Sequence, residues 1–206
     1  MKKKGIILDL DNTIYPVSSI AEKLFVKLFD CIENSGEYKG NLTAVKHEIQ
    51  RTPFQKVAND FSFSSELLAK CLNLHANLTY DEPMQTFPDY VELAKLPQIK
   101  YLVTSGFTKL QNSKVKQLEI ENDFKEIYII DLQVSKLTKK DVFREILSKN
   151  NYAVAEVLVV GDDLNSEIKA GNELGIETVL YDHYRKFDST KNINTISNFL
   201  ELKSFL

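Results

Sequence analysis

Short apolar runs alternate with stretches of helical period along most of the chain. Five runs rich in Val, Ile, Leu and Tyr are of strand length, at residues 6–10, 99–103, 127–130, 157–160 and 178–181. Helical apolar spacing fills the intervals between the later runs, at residues 109–118, 139–149 and 165–174. Because strands that alternate with helices form parallel sheets covered on both faces, the pattern predicts an α/β fold.

One interval breaks this alternation. Residues 15–85 contain no convincing strand pattern, but apolar stripes of helical period occur at residues 20–32 and 67–74. Glycine, proline and serine residues divide the interval into four predicted helices. We therefore predict an all-helical insertion at 15–85, with the α/β unit formed by residues 1–14 and 86–206.

Composition narrows the class of protein. With 206 residues, 43% of them hydrophobic, the chain can bury one sizeable core beside a smaller insertion. The 26 basic and 29 acidic side chains are interspersed and give a net charge of -3, which disfavours a nucleic-acid polymer as partner. Cys31 and Cys71 lie in stretches of helical period and are predicted to be reduced core thiols.

The amino-terminal sequence bears on location. The Lys2-Lys3-Lys4 start resembles the basic region of a signal peptide, but acids interrupt the apolar run that follows it. Since no apolar stretch approaches the roughly 20 residues that span a bilayer, we expect no membrane partner and a cytoplasmic location.

Polar residues follow the predicted strands at the edge where ligands bind in open parallel sheets. Asp9 and Asp11 come at the end of the first strand, one residue apart. Buried carboxylates need a cation, a shared proton or solvent, so this pair suits a Mg²⁺ site and paired nucleophile and acid chemistry. The later strand ends add Thr104, Ser105, Asp131, Asp162 and Asp163.

Three of these segments resemble the motifs of a known family. Asp9-Leu10-Asp11-Asn12-Thr13 resembles motif I of the haloacid dehalogenase-like hydrolases, residues 102–106 (Leu-Val-Thr-Ser-Gly) resemble motif II, and residues 159–163 (Val-Val-Gly-Asp-Asp) resemble motif IV. The resemblance covers essentially the whole chain, in the family's order. It implies a Rossmann-like parallel core with a C1-type helical cap inserted after motif I, and it implies a phosphoric monoester hydrolase.

The resemblance also implies roles for the acids. Asp9 would attack phosphorus to give an aspartyl-phosphate, and Asp11 would act as general acid and base. Asp11 argues against dehalogenation, because halide leaves without a proton. Mg²⁺ would be held by the Asp9 carboxylate, the Asp11 backbone carbonyl and Asp162, while the roles of Asp163 and Glu167 near the metal stay open.

Motif II implies a phosphate site. Thr104 would hydrogen-bond a phosphoryl oxygen, and further backbone N–H donors would come from Asn12, Ser105 and Gly106.

Motif III requires a lysine near a helix start, and the sequence offers Lys136, Lys139 and Lys140. Thr138 and Asp141 predict a capping box for the helix that follows. We prefer Lys136 as the catalytic lysine, because a lysine before the cap points back to the strand ends, and we keep Lys139 as the alternative.

The substrate expectation rests on the cap. A helical cap limits size, so we expect a small phosphorylated metabolite, bound by a monomer or small homo-oligomer. Residues 9–16 resemble the opening of the pyrimidine 5'-nucleotidase-like branch, which implies a nucleoside 5'-monophosphate. Two alternatives are a phosphomutase of sugar phosphates and a catalytically idle binding module on the same fold. His47, His75 and His183 show no ligand spacing and are interpreted as ordinary surface or helix histidines.

Overall fold

A single parallel sheet forms the centre of the molecule. The computed structural model describes residues 2–50, 52–187 and 193–206. Its strands are β1 (Gly5–Leu8), β2 (Ile99–Ser105), β3 (Glu126–Ile130), β4 (Val157–Gly161), β5 (Glu177–Tyr181) and β6 (Thr195–Ile196). They pair in the order β3-β2-β1-β4-β5-β6, and every pairing is parallel. The predicted α/β class and parallel sheet are confirmed.

Strand register decides which residues meet at the carboxyl edge of the sheet. Leu8, the last residue of β1, pairs with Leu102 of β2 on one side and with Val160 of β4 on the other. β2 and β4 continue beyond these paired positions, so Asp9 lies at the sheet edge between two longer strands. Thr104 and Asp162 lie two residues beyond the paired positions, so three segments far apart in sequence converge at one edge.

The sheet separates two apolar layers, because successive strand residues face opposite sides. Ile7 packs with Tyr101 and Val159 against the layer that contains Val142 and Phe143. The opposite layer is larger and includes Ile6, Leu8, Leu102, Leu158 and Val160, together with apolar residues of the helical insertion. All these strand residues are fully buried or nearly so, which explains why the strand segments are continuous apolar runs.

Helices flank the sheet where the chain crosses between strands. They are α6 (Tyr90–Ala94), α7 (Thr108–Gln117), α8 (Lys139–Lys149) and α9 (Glu167–Glu173). The bounds of α8 are those predicted, and its N-terminus carries the predicted capping box, in which Thr138 and Asp141 bond each other's backbone N–H. Helix α9 begins two residues later than the pattern predicted, at Glu167.

The insertion is entirely helical within its described residues. It contains α1 (Ala21–Leu24), α2 (Val26–Ser35), α3 (Leu42–Ile49), α4 (Phe54–Asp60) and α5 (Ser65–Ala76). A 3₁₀ helix at Val17–Ser19 precedes them. The described residues thus form five α-helices where four helices were predicted, because the first apolar stripe is broken at Phe25 into a single turn and a longer helix. Cys31 and Cys71 are free thiols with their sulfurs 3.9 Å apart. The division at residues 14/15 and 85/86 stays a prediction.

The carboxyl-terminal segment completes the sheet. Strand β6 was not predicted, since two residues are too few to show a pattern, and a 3₁₀ helix follows it at Phe199–Phe205. Within the described ranges, no helix combines the length and the apolar character needed to cross a membrane.

Candidate active site

A cavity of 490 Å³ lies between the carboxyl edge of the sheet and the helical insertion. Sheet-edge residues that line it include Asp9, Asp11, Thr104, Lys139 and Asp162. The insertion contributes a wall of mixed apolar and polar side chains, among them Phe25, Ile49, Phe54 and His75. The arrangement thus places carboxylates and ammonium groups on the floor of the cavity and aromatic side chains on its roof.

Asp9 is held at the end of β1 by both its backbone and its side chain. Its N–H donates to the Val160 carbonyl at 3.1 Å. Its carboxylate is only 7% exposed and accepts a hydrogen bond from Lys139 Nζ at 2.6 Å. The same ammonium donates to Glu167 Oε2 at 2.7 Å, so one buried cation bridges two carboxylates.

The electrostatic balance of this cluster is negative. Three carboxylates (Asp9, Asp162 and Glu167) place one oxygen each within 4.8 Å of one another, and one ammonium faces them. Burial raises the pKa of Asp9, and Lys139 offsets this only in part. Burial and the charges of Asp9 and Glu167 raise the pKa of Asp162 to about 8. Added positive charge would therefore be stabilising here.

A divalent cation fits this donor set. Mg²⁺ prefers carboxylate and carbonyl oxygens, and the cluster supplies carboxylates carrying more negative charge than Lys139 can neutralise. Gly161 makes room for the third acid, because a Cβ there would lie 2.2 Å from the Glu167 carboxylate. Glu167 Oε1 also accepts the Asp163 N–H at 2.7 Å. Glu167 is thus placed in the cluster, which the sequence left open.

Asp11 has a different environment from Asp9. Its Oδ1 accepts hydrogen bonds from Lys114 Nζ at 2.8 Å and from the Tyr15 hydroxyl at 2.5 Å, and its Oδ2 accepts from Gln111 Nε2 at 2.9 Å. Burial would raise the pKa of Asp11, but these partners outweigh it and hold the pKa below its usual value. The two acids of motif I are therefore separated electrostatically.

Thr104 of motif II lies on the cavity floor. The side chain is 1% exposed, and its hydroxyl accepts from Gln111 Nε2 at 2.6 Å. Gln111 thereby connects Thr104 to Asp11.

The three residues predicted to donate backbone N–H groups to the phosphate lie in different environments. Ser105 is exposed, and Asn12 adopts a left-handed φ of 57° while its side chain accepts the Val17 N–H. The expectation that Gly106 offers a free N–H is corrected, because that group donates to the Ile130 carbonyl at 3.0 Å.

The preference for Lys136 is likewise corrected by the geometry. Lys136 precedes the helix cap and is exposed, whereas Lys139, the first residue of α8, is 8% exposed and reaches Asp9. The chain before the cap turns outward, since the capping box fixes Thr138 in an extended conformation. Lys139, held as the alternative, is the lysine that the structure brings to the site.

Sequence reasoning missed four residues of the site: His75, Gln111 and Lys114, which line the cavity, and Tyr15, which bonds Asp11. Gln111 and Lys114 neighbour the apolar positions of α7, which was the one available signal. His75 was set aside as ordinary, yet it is buried among Phe25, Phe54 and Phe107. Asp131, by contrast, bonds the first residue of α7 through the Thr108 N–H and hydroxyl, both at 2.9 Å.

Curated relatives resemble this chain in sequence, over different shares of its length. A glyceraldehyde 3-phosphate phosphatase from Pyrococcus furiosus is 23% identical over 90% of this chain and 84% of its own length. The pyrimidine 5'-nucleotidase PynA from Streptococcus pneumoniae is 25% identical, but only over 44% of this chain and 39% of its own.

Solved structures agree with the fold. The haloacid dehalogenase-like family protein SP0104 from Streptococcus pneumoniae aligns with a TM-score of 0.72 at 16% identity, covering 98% of both chains. YfnB from Bacillus subtilis, whose crystal structure is bound to magnesium, aligns with a TM-score of 0.62 at 16% identity over 100% of this chain and 99% of its own. The model of the haloacid dehalogenase-like hydrolase family matches residues 3–175. The chain belongs to the haloacid dehalogenase-like hydrolases.

Proposed function

We propose that this chain is a Mg²⁺-dependent phosphatase that hydrolyses a small phosphomonoester through an aspartyl-phosphate. The observation that carries the proposal is the pairing of Asp9 and Asp11 in one cavity with opposite environments. Asp9 lies in an acidic cluster beside Lys139, and Asp11 lies among hydrogen-bond donors. A cation bound in the acidic cluster would lower the pKa of Asp9 and keep it ionised for attack, while Asp11, whose side chain lies outside that cluster, is left to exchange a proton.

Asp9 is the nucleophile in this mechanism. Its carboxylate oxygen attacks phosphorus while the bond from phosphorus to the leaving oxygen breaks, which gives the aspartyl-phosphate. The Lys139 ammonium, 2.6 Å from Oδ1, orients the carboxylate and offsets the negative charge gathered around phosphorus. The Thr104 hydroxyl donates a hydrogen bond to a phosphoryl oxygen, and the backbone N–H groups of Asn12 and Ser105 would donate further hydrogen bonds to the phosphoryl group.

Asp11 is the general acid and then the general base. Its low pKa leaves it ionised in the free enzyme, and the arrival of an anionic phosphate beside it favours uptake of a proton from solvent water by the carboxylate. That proton passes to the leaving oxygen in the first step. In the second step Asp11 takes a proton from the water that attacks phosphorus, which releases phosphate and restores Asp9.

The acidic cluster supports Mg²⁺ as the cofactor. Asp9, Asp162 and the Asp11 backbone carbonyl would hold the ion, and Glu167 would balance its charge and that of Lys139. When bound, it would supply the positive charge that allows an anionic nucleophile to approach an anionic phosphate.

The cavity supports a small substrate. A volume of 490 Å³ enclosed by α3, α4 and α5 suits a metabolite of a few carbon atoms or a nucleoside monophosphate. The aromatic roof of Phe25, Phe54 and Phe107 gives a planar base apolar surface to contact, and the partial likeness to PynA is in keeping with a nucleoside 5'-monophosphate. The likeness to a triose-phosphate phosphatase supports the smaller class.

Release of inorganic phosphate tests the proposal. The purified chain is incubated with nucleoside 5'-monophosphates, triose and sugar phosphates and p-nitrophenyl phosphate, each with Mg²⁺ and with a chelator. We expect Mg²⁺-dependent release from at least one compound, and no release by Asp9→Asn. Turnover by Asp9→Asn near the wild-type rate would contradict the nucleophile assignment, and isomer formation without free phosphate would indicate a mutase.

A further inference from the structure

Helix α7 buries two polar side chains on the face that meets the active site. Gln111 is 1% exposed and Lys114 is 4% exposed. They lie three residues apart, on one face of the helix. Burying an ammonium group is costly unless it is paired, and Lys114 pairs with Asp11. Because α7 keeps polar side chains at these buried positions, the arrangement points to a role in the site.

These two side chains hold both oxygens of one carboxylate. Lys114 Nζ lies 2.8 Å from Asp11 Oδ1, and Gln111 Nε2 lies 2.9 Å from Oδ2. A donor on each oxygen fixes the rotation of the carboxylate plane, which a single donor would leave free. Tyr15 adds a second donor on Oδ1.

Gln111 also ties this carboxylate to the phosphate site. Its Nε2 lies 2.6 Å from Thr104 Oγ1 as well as 2.9 Å from Asp11 Oδ2. The orientation of Asp11 is therefore set relative to Thr104, the residue expected to bind the phosphoryl group.

We propose that Gln111 and Lys114 are positioning residues that hold the Asp11 carboxyl in register with the leaving oxygen of the substrate. The inference rests on the proposed function, since it requires Asp11 to be the general acid. Misplacement of a catalytic group by about 1 Å can cost 10²-fold in rate. Loss of either donor should therefore act on the proton-transfer step rather than on substrate binding.

The dependence of rate on the leaving group tests this role. Alkyl phosphates need a proton on a strongly basic leaving oxygen, whereas p-nitrophenyl phosphate releases a weakly basic phenolate and needs much less help. The comparison uses kcat/KM, because this quantity reports the first phosphoryl transfer and not the second step, which both substrates share. We expect Lys114→Met and Gln111→Met to lower kcat/KM for the best alkyl substrate by about 10- to 100-fold, with p-nitrophenyl phosphate affected by less than about 3-fold. Both substrates are measured on one preparation, so a partly unfolded fraction cancels from the ratio.

A control variant of α7 and a set of double variants test whether Gln111 and Lys114 act through Asp11. Lys116→Met makes the same substitution at an exposed position of α7 and should leave the ratio unchanged. In an Asp11→Asn background, Lys114→Met and Gln111→Met should add no further loss on the alkyl substrate, because they act through Asp11.

The outcomes separate the two proposals. If Asp11→Asn lowers kcat/KM equally for both substrates, the general-acid assignment in the proposed function is wrong. If Asp11→Asn is selective but Lys114→Met and Gln111→Met lower both substrates equally, or raise KM alone, the positioning role is wrong. A loss by Lys114→Met that persists in full in the Asp11→Asn background would instead assign Lys114 to direct contact with the substrate and overturn the inference.

Discussion

Lys139 contacts two buried carboxylates at once, and this sets it apart from the two other lysines beside it. Its ammonium lies 2.6 Å from Asp9 and 2.7 Å from Glu167. Lys136 is exposed, and Lys140 pairs with Glu173 on the outer side of α8. Removal of Lys139 would leave Asp9 and Glu167 close together without their shared cation.

Paired substitutions test this distinction. We expect Lys139→Met to lower kcat/KM by about 10²- to 10³-fold, the usual range for loss of an electrostatic stabiliser in an active site. Lys136→Met should stay within about 2-fold of the wild type, because its side chain is exposed. Phosphate release under saturating Mg²⁺ gives both values, with circular dichroism as the check on folding. A larger loss in Lys136→Met would restore the lysine that the sequence favoured.

His75 is a neutral histidine in the wall between the helical insertion and the core. It stacks on Phe107 with ring centroids 4.7 Å apart and meets Phe25 and Phe54 edge-on. Its Nδ1 is buried and has no hydrogen-bond partner among the residues that the structure describes. Burial, with a smaller effect of Lys114, lowers the pKa of His75 to about 4. The folded protein therefore resists protonating a group that the unfolded chain protonates readily.

This difference predicts a pH-dependent stability. Below the usual histidine pKa the unfolded state binds the proton more tightly, so the free energy of unfolding should fall as pH decreases towards 4. Between about pH 7 and about pH 5, His75 should account for a loss of about 2 kcal/mol. Urea denaturation at both pH values measures it.

His75→Phe is the matched variant, since it keeps an aromatic ring among the three phenylalanines and cannot titrate. Its free energy of unfolding should decline less than that of the wild type over the same pH interval. Equal declines in the two proteins would show that His75 does not titrate as its burial requires.

Among the elements, α8 could be predicted to the residue because its signals are local. The capping box at Thr138 and Asp141 marks its start, and the apolar positions Val142, Phe143 and Ile146 fix its inner face. The direction of the Lys139 side chain is not local. It depends on the sheet edge beneath the helix, which is why the sequence could name three candidate lysines without choosing correctly.

Helix α7 shows the same limit at the site. Its sequence places Gln111 and Lys114 beside Leu110 and Val115, and polar residues in such a helix ordinarily face solvent. They are buried here because Asp11, about one hundred residues earlier, supplies the compensating charge. Motif acids following strands could be found from sequence, whereas the side chains that hold Asp11 could be found only once the sheet order was known.

Helix α9 approaches the sheet closely through Gly171. A Cβ at this position would lie 2.6 Å from Thr178 Cγ2 and 3.3 Å from Val159 Cγ2. Thr178 is in β5 and pairs in register with Val159 of β4, so both contacts are with β-branched side chains of neighbouring strands, which have few alternative rotamers. The glycine is thus required by close packing.

We expect Gly171→Ala to destabilise the protein by about 1 to 3 kcal/mol, the usual cost of overpacking, even though alanine favours helices. Thr178→Ser should relieve much of this cost in the double variant, because serine lacks Cγ2 but keeps the hydroxyl that bonds Asn172. Urea denaturation of the two single variants and the double variant measures the coupling. Additive effects would show that the contact does not limit the packing of α9.

At the scale of the whole molecule, the site exists only in the folded chain. The segment directly after β1 supplies Asp9, α8 supplies Lys139, and the loop after β4 supplies Asp162. Folding concentrates these charges, and the excess of carboxylates raises the pKa values of Asp9 and Asp162. A metal ion that binds the assembled cluster and not the unfolded chain should stabilise the fold as a whole.

The raised pKa of Asp162 determines how the stability of the folded chain changes with pH. The pKa of Asp162 is about 8 in the folded chain against an ordinary value of 3.8, so the folded state holds the proton more tightly between those values. Without metal, the contribution of Asp162 to stability falls as pH rises through this interval. Mg²⁺ competes with that proton, and its stabilising effect should therefore increase with pH.

Thermal unfolding at about pH 5.5 and about pH 8, with Mg²⁺ and with a chelator, tests this. At a hundredfold excess over its Kd, Mg²⁺ should add about 2.7 kcal/mol to the free energy of unfolding, with the larger rise in Tm at the higher pH.

Two variants locate the ion. Asp162→Asn should lose most of the stabilisation by Mg²⁺. In chelator at the higher pH it should unfold at a higher temperature than the wild type, because the amide carries no charge. Asp30→Asn, which changes an exposed acid on α2, should respond to Mg²⁺ as the wild type does. An Mg²⁺ effect of equal size at both pH values, or one retained by Asp162→Asn, would place the stabilising ion outside the cluster of Asp9, Asp162 and Glu167.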